Sequence, residues 1–160
     1  MQKHEDEEIT VGEFVEMVWG LRAGCGGATL GEGTNAALSL NELLRYGHFR
    51  GWLEDSDERY PESFLNRQTA ARIIHQFMVV ELHMSDVADI SAAEKLRDLY
   101  TCRVCANHIA QVYVRGIMGA EEVLSGDAAA TQSILIFNHL GRMSYNEAQK
   151  IISSIKKAML

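Results

Sequence analysis

Three segments of this chain open in the same way, and that likeness constrains its fold more than any other feature. Thr10-Val-Gly-Glu13, Asn66-Arg-Gln-Thr69 and Ser144-Tyr-Asn-Glu147 each begin with a residue suited to the N-cap of an α-helix. In the first and third, the hydroxyl accepts from the amide three residues on and the Glu at that position reaches back, which is a capping box. Asn66 is an equally good cap, with Thr69 as a poorer return partner. Counting from each cap, the positions at plus four, seven, eight and eleven are Phe14, Met17, Val18 and Leu21; Ala70, Ile73, Ile74 and Phe77; and Ala148, Ile151, Ile152 and Ile155. Those offsets fall on one face of a helix, so each segment predicts a helix with a single stripe to bury.

The stretches leading into the second and third segments also correspond. Ahead of Asn66 come Ala36–Leu40, then Gly47-His-Phe-Arg-Gly51-Trp52, then Tyr60-Pro61. Ahead of Ser144 come Cys105–Ile109, then Gly116-Ile-Met118, then Phe137. Each reads as helix, glycine stop, loop, aromatic, capped helix, because glycine just past a helix supplies the left-handed residue that ends it. A helix–loop–helix unit of this kind cannot bury its stripe alone, whereas several packed together can. Helical patterns are expected from about Thr10, over 35–47, 66–83, 91–98, 102–115 and 145–158. Residues 23–33, with five glycines, and the polar stretches 51–64 and 116–131 are expected to be loops. Ile134–Phe137 is a short apolar run that reads equally as an extended piece or a helix end.

This pattern resembles the S-layer homology (SLH) repeat. Gly116-Ile117 is similar to that family's Gly-Ile turn, and Gly47 with Gly51-Trp52 to its paired glycines and aromatic. Tyr60-Pro61 is similar to its aromatic-proline approach, and Leu65-Asn-Arg-Gln-Thr-Ala-Ala71 to its Thr-Arg-Ala-Glu helix start, with Arg67 in the arginine position. Met143–Ala148 and Ile9–Phe14 look like degenerate copies. The resemblance implies a single mainly α domain over 1–160, with a half motif at 9–24 and full motifs at 34–83 and 86–158. About six principal helices would pack around a pseudo-threefold axis. It also implies a non-catalytic surface-anchoring module that binds anionic, often pyruvylated, cell-wall glycans in grooves that use the family arginine. Only the second copy keeps that arginine; Val11 and Tyr145 stand in the other two. A planar, permanently charged guanidinium is the natural partner of a carboxylated sugar. The alternative is therefore a protein-interaction domain that keeps the architecture and has lost the glycan site.

Charge and composition narrow the partners. The net charge of −7 opposes generic nucleic-acid binding, which requires a basic footprint. No apolar run approaches the length that spans a bilayer. The acidic start, Met1–Glu8, does not read as a signal peptide. A cell-surface location is expected if the chain is a piece of a secreted protein, and a cytoplasmic one if it stands as written.

Within the SLH-like reading, the expected ligand contacts are Arg67, Trp52, Tyr60 and Asn66. The competing role for Arg67 is an exposed first-turn arginine, and for Trp52, Tyr60 and Trp19 it is core or loop packing. Cys102-x-x-Cys105-x-x-His108 invites a zinc reading, but spacings of i, i+3 and i+6 spread around a helix and leave the fourth ligand to a remote residue such as Cys25. The expectation is no metal and no cofactor, with cysteines packed between helices. Redox use requires Cys102 at a helix start in a thioredoxin-like βαβ setting, which the sequence does not show, so packing cysteines are expected over a redox pair. His48, His75, His83, His108 and His139 stand at no known catalytic spacing, and the acidic run Glu54–Glu58 lacks a calcium-loop pattern.

Overall fold

A computed structural model describes residues 6–24, 38–126 and 132–159. The protein is mainly α. Its helices are α1 (Val11–Gly24), α2 (Leu40–Arg50), α3 (Asp55–Arg59), α4 (Arg67–Val80), α5 (Ala106–Val114) and α6 (Tyr145–Ala158). Strands β1 (Glu121–Ser125) and β2 (Gln132–Ile136) pair antiparallel, with Val123 opposite Ile134.

The three capped helices form where their sequences direct. Glu13, Thr69 and Glu147 donate their amides to the side chains of Thr10, Asn66 and Ser144 at 3.2, 2.9 and 3.1 Å. Nine of the twelve stripe positions are buried outright in α1, α4 and α6: Phe14, Val18, Leu21, Ala70, Ile73, Ile74, Phe77, Ala148 and Ile155 are all at most 2% exposed. Of the others, Ile151 is buried too, while Met17 and Ile152 lie against the core edge.

The residues just before the caps meet in a closed ring of backbone hydrogen bonds. The amide of Ile9 donates to the carbonyl of Met143 at 3.0 Å, Met143 to Leu65 at 3.1 Å, and Leu65 back to Ile9 at 2.9 Å. All three side chains are fully buried. One step on, the first helical amides repeat the exchange: Val11 donates to Ser63, Arg67 to Gly141 and Tyr145 to Glu7, at 2.8–2.9 Å. A helix start leaves four amides without intrahelical partners. Here each capped segment supplies carbonyls to its neighbour, so that deficit is met between segments. At the rim, Arg142 lies over the Phe64 ring at 4.8 Å and pairs with Glu8 at 2.9 Å.

The ends of α2 and α5 correspond as well. Gly51 and Gly116 take φ of +94° and +73°. Beyond them, the amides of Trp52 and Leu53 both return to Gly47 O, and those of Ile117 and Met118 to Val112 O. All four side chains are buried. Gly47 is required by close approach, since a Cβ there would lie 2.5 Å from Leu53 Cδ1.

Several expectations are corrected. Residues 91–98 form no α-helix; they contribute the tight 3-10 turn Ala93–Lys95, and a second follows at Leu99–Thr101. The segment 102–115 is helical only from Ala106. The loop expected over 51–64 holds α3, where Asp57 accepts from the Glu54 amide and forks onto Arg72 at 2.8 Å twice. Residues 121–125 are a strand, and Ile134–Ile136 of the 134–137 run lie in its partner β2, which resolves that run as extended. The expected loop 23–33 falls outside the described residues from Cys25 onward, as does the start of the expected helix 35–47.

Candidate functional site

Arg67 opens α4 and its side chain turns inward. Nε donates to Phe137 O at 2.8 Å and Nη2 to Gly119 O at 2.6 Å, while Nη1 lies 3.5 Å from Glu147 Oε2. The guanidinium also sits 4.6 Å over the Phe137 ring, and the side chain is only 12% exposed. Burial pulls its pKa below the ordinary arginine value, against the opposing charges of Glu147, Glu121 and Asp98. Every nitrogen of the fork thus has a partner in the protein. Arg67 fastens α4 to the segments before β1 and after β2, and Asp98 completes that seam by accepting from the amides of Phe137 and Asn138 at 2.7 and 2.8 Å.

The other expected ligand contacts are occupied differently. Trp52 is 0% exposed, stacked on Trp19 with ring centroids 6.4 Å apart and edge-on to Phe77 at 5.0 Å. The expectation that it stacks on a sugar is therefore corrected, because neither face of its indole reaches solvent. Phe77 stands ten residues beyond Arg67, roughly 15 Å along the helix axis, so the two are not brought together. The Asn66 side chain is engaged in capping α4. Of the four expected contacts, Tyr60 is the one with an open ring, at 55% exposure.

A cluster that sequence spacing did not reveal lies on the seam between α4 and α5. His75 Nε2 is 2.7 Å from Asp86 Oδ1, and His75 Nδ1 is 2.8 Å from His108 Nδ1. Asn107 donates to the second oxygen of Asp86 at 3.1 Å. Burial pushes the Asp86 carboxyl up, but the bonds from His75 and Asn107 outweigh it and hold its pKa below the ordinary range. With Asp86 ionised, His75 donates to it through Nε2, and one of the two facing Nδ1 atoms of His75 and His108 donates to the other. The segment after α4 is strapped to α5 by Gln111, which bonds the amide and carbonyl of Val87, and by Arg115, which donates to Ser85 O. Beside the cluster runs an open cleft of about 710 Å³ lined by Gly51, Gln76, Val79, Val80, His83 and Met84 as well as His75 and Asp86.

Burial chiefly, with the His75 and Arg72 charges added and Asp86 opposing, lowers the His108 pKa from 6.5 to about 4. The unfolded chain therefore takes up this proton first as pH falls, so stability is retained above the ordinary value of 6.5 and lost between there and about 4. After allowance for solvent screening of a partly exposed ring, the loss should be about 1–2 kcal/mol. Denaturant unfolding at pH 7 and pH 4.5 should show that loss in the wild type and a smaller one in His108→Asn. Equal losses in both would place the acid sensitivity elsewhere.

The cysteines also depart from expectation. Rather than packing as free thiols between helices, Cys102 and Cys105 are joined in a disulfide at the start of α5, both half-buried. A disulfide sulfur is no thiolate ligand, so this form of the Cys102–Cys105–His108 trio does not offer zinc the set that spacing suggested. Among the described residues, no group of three or more His, Cys, Asp or Glu side chains converges to hold a metal, and no helix is long and apolar enough to cross a membrane. No protein-family model, curated protein or solved structure matches the chain.

Proposed function

We propose that this chain is a non-catalytic, SLH-like module that keeps a three-part architecture and serves as a protein-interaction domain without a glycan grip. The architecture is supported by the hydrogen-bonded ring of Ile9, Leu65 and Met143 and by the matching glycine turns after α2 and α5. In this reading, α1, α4 and α6 are equivalent helices about a pseudo-threefold axis, and the 9–24, 34–83 and 86–158 segments are the repeat units. The β-hairpin occupies in the last unit the place that α3 takes in the one before.

The observation that carries the loss of the glycan site is the engagement of Arg67. Its three nitrogens already face Phe137 O, Gly119 O and Glu147. A carboxylated sugar would have to displace two carbonyls that would then lose their donors, at a cost of about 1–3 kcal/mol each. With Val11 and Tyr145 at the other two first-turn positions, no second arginine compensates.

Calorimetric titration with purified, pyruvylated cell-wall polymer tests the choice between the two readings. The expected result is no saturable heat. Saturable binding by the wild type that Arg67→Ala removes would reinstate the surface-anchoring function, with Arg67 and Tyr60 as its contacts.

A further inference from the structure

We propose that the Cys102–Cys105 disulfide is a reversible redox couple that exchanges with the dithiols of partner proteins, forming its mixed disulfide through Cys102. The proposal is independent of the interaction-module reading, which assigns the cysteines no role.

The position of the bond argues against a purely structural purpose. It links the residue ending the Leu99–Thr101 turn to the N-cap of α5, across three residues of sequence. The Cys105 amide already donates to Cys102 O at 3.2 Å, so the same turn is closed without the sulfurs. A cross-link stabilises mainly by restricting the unfolded chain, and so short a loop restricts it far less than a loop of about 100 residues would. The bond ties no distant elements together, so its reduction leaves the scaffold standing.

The surroundings favour exchange. Cys105 is the N-cap of a nine-residue helix whose first turn carries no acidic side chain and whose N-cap makes no side-chain hydrogen bond. The N-cap side chain takes none of the first-turn amides and the helix dipole favours negative charge there, with the Asp86 carboxylate held by Asn107 as the opposing charge. A thiolate on Cys105 is stabilised by both, which makes Cys105 the better leaving group. Cys105 also packs against the hydrophobic core and lies 3.9 Å from Gln68 Oε1. Between the cysteines stand Arg103, exposed and cationic, and Val104, 85% exposed. The turn therefore presents a cation and an exposed apolar side chain in the two residues between the cysteines.

The chemistry balances with a protein dithiol as the reductant. A partner thiolate attacks Cys102 Sγ, the intramolecular S–S bond breaks, and Cys105 departs as a thiolate. The second partner thiol, deprotonated, then attacks the partner sulfur of the mixed disulfide and releases Cys102. Two electrons and two protons pass from the partner, which becomes a disulfide, to Cys102 and Cys105.

The test uses the full chain in a Cys25→Ser background, equilibrated with mixtures of reduced and oxidised glutathione. Alkylation and mass measurement should record one two-thiol transition while the far-ultraviolet circular dichroism stays unchanged. Acid quenching partway through should place glutathione on Cys102 and the free thiol on Cys105. The oxidised protein should also oxidise a model dithiol peptide about tenfold faster than a linear peptide carrying the same Cys-Arg-Val-Cys sequence, if the helix start activates the bond. Cys102→Ser should lose this activity. Resistance to reduction under native conditions, loss of helical signal on reduction, glutathione on Cys105, or a rate equal to that of the linear peptide would each overturn the proposal.

Discussion

Trp52→Ala is expected to destabilise the protein by about 3–5 kcal/mol, the range for deleting a buried aromatic side chain. The indole is fully buried, and three elements rest on it. Trp19 of α1 stacks on one face, Phe77 of α4 meets it edge-on, and its own backbone closes the turn after α2 through Gly47. Trp19 is itself edge-on to Tyr46 of α2, at 5.4 Å, so the cavity would open in the middle of an aromatic run. Trp52 Nε1 has no hydrogen-bond partner among the described residues. A buried donor left unpaired is costly, so Trp52→Phe, which keeps an aromatic body and removes that donor, should recover much of the loss. Equilibrium denaturation of the three proteins gives the comparison. A loss below about 1 kcal/mol in Trp52→Ala would mean that the ring is not held in the core and would return it to the surface as a sugar contact.

What was legible in the sequence was local. A hydroxyl or amide at a cap, an apolar stripe at helical spacing and a glycine past a helix each act within about a dozen residues, and those features are found close to where the spacing put them, although α2 runs through Gly47 and stops at Gly51. The likeness of the segments at 10, 66 and 144 was also visible. Their junction was not, because the ring is made of backbone atoms of Ile9, Leu65 and Met143, and backbone hydrogen bonding leaves no residue-type signature. The role of Arg67 was obscured for the same reason, since two of its partners are carbonyls on Gly119 and Phe137. Trp52 was misread as a contact because it follows a glycine in a polar stretch. The turn that Gly51 permits sends it inward, and neighbouring polarity does not encode that direction. The His75–Asp86–His108 chain joins residues 11 and 33 positions apart, and only the packing of α4 on α5 unites them. The hairpin was hidden by Glu121 and Glu122, which strands seldom favour and which this exposed one tolerates.

Glu81→Ala should have the second large effect, about 3 kcal/mol, by leaving two arginines facing one another where a carboxylate had joined them. The Glu81 side chain is 0% exposed; Oε2 accepts from Arg22 Nε at 3.1 Å and Oε1 from Arg50 Nε at 3.0 Å. Glu81 follows α4, Arg22 lies in the last turn of α1 and Arg50 ends α2, so one buried carboxylate fastens the ends of three helices remote from the capped starts. The two arginines are 26% and 39% exposed, so they can recover water when the carboxylate goes, which sets the estimate at the low end for a broken buried pair. Glu81→Gln keeps the volume and removes the charge; a loss close to that of alanine would assign the effect to electrostatics and not to packing. Tyr46 supplies an independent readout. Its phenol pKa is raised first by burial and then by the Glu81 charge, with Arg50 and Arg22 opposing. Removing the carboxylate should therefore bring the tyrosinate absorbance transition to lower pH in both variants, while burial continues to hold it up. An unchanged Tyr46 titration together with a small stability loss would show that the three helix ends are held by apolar contacts and that the ion pair is incidental.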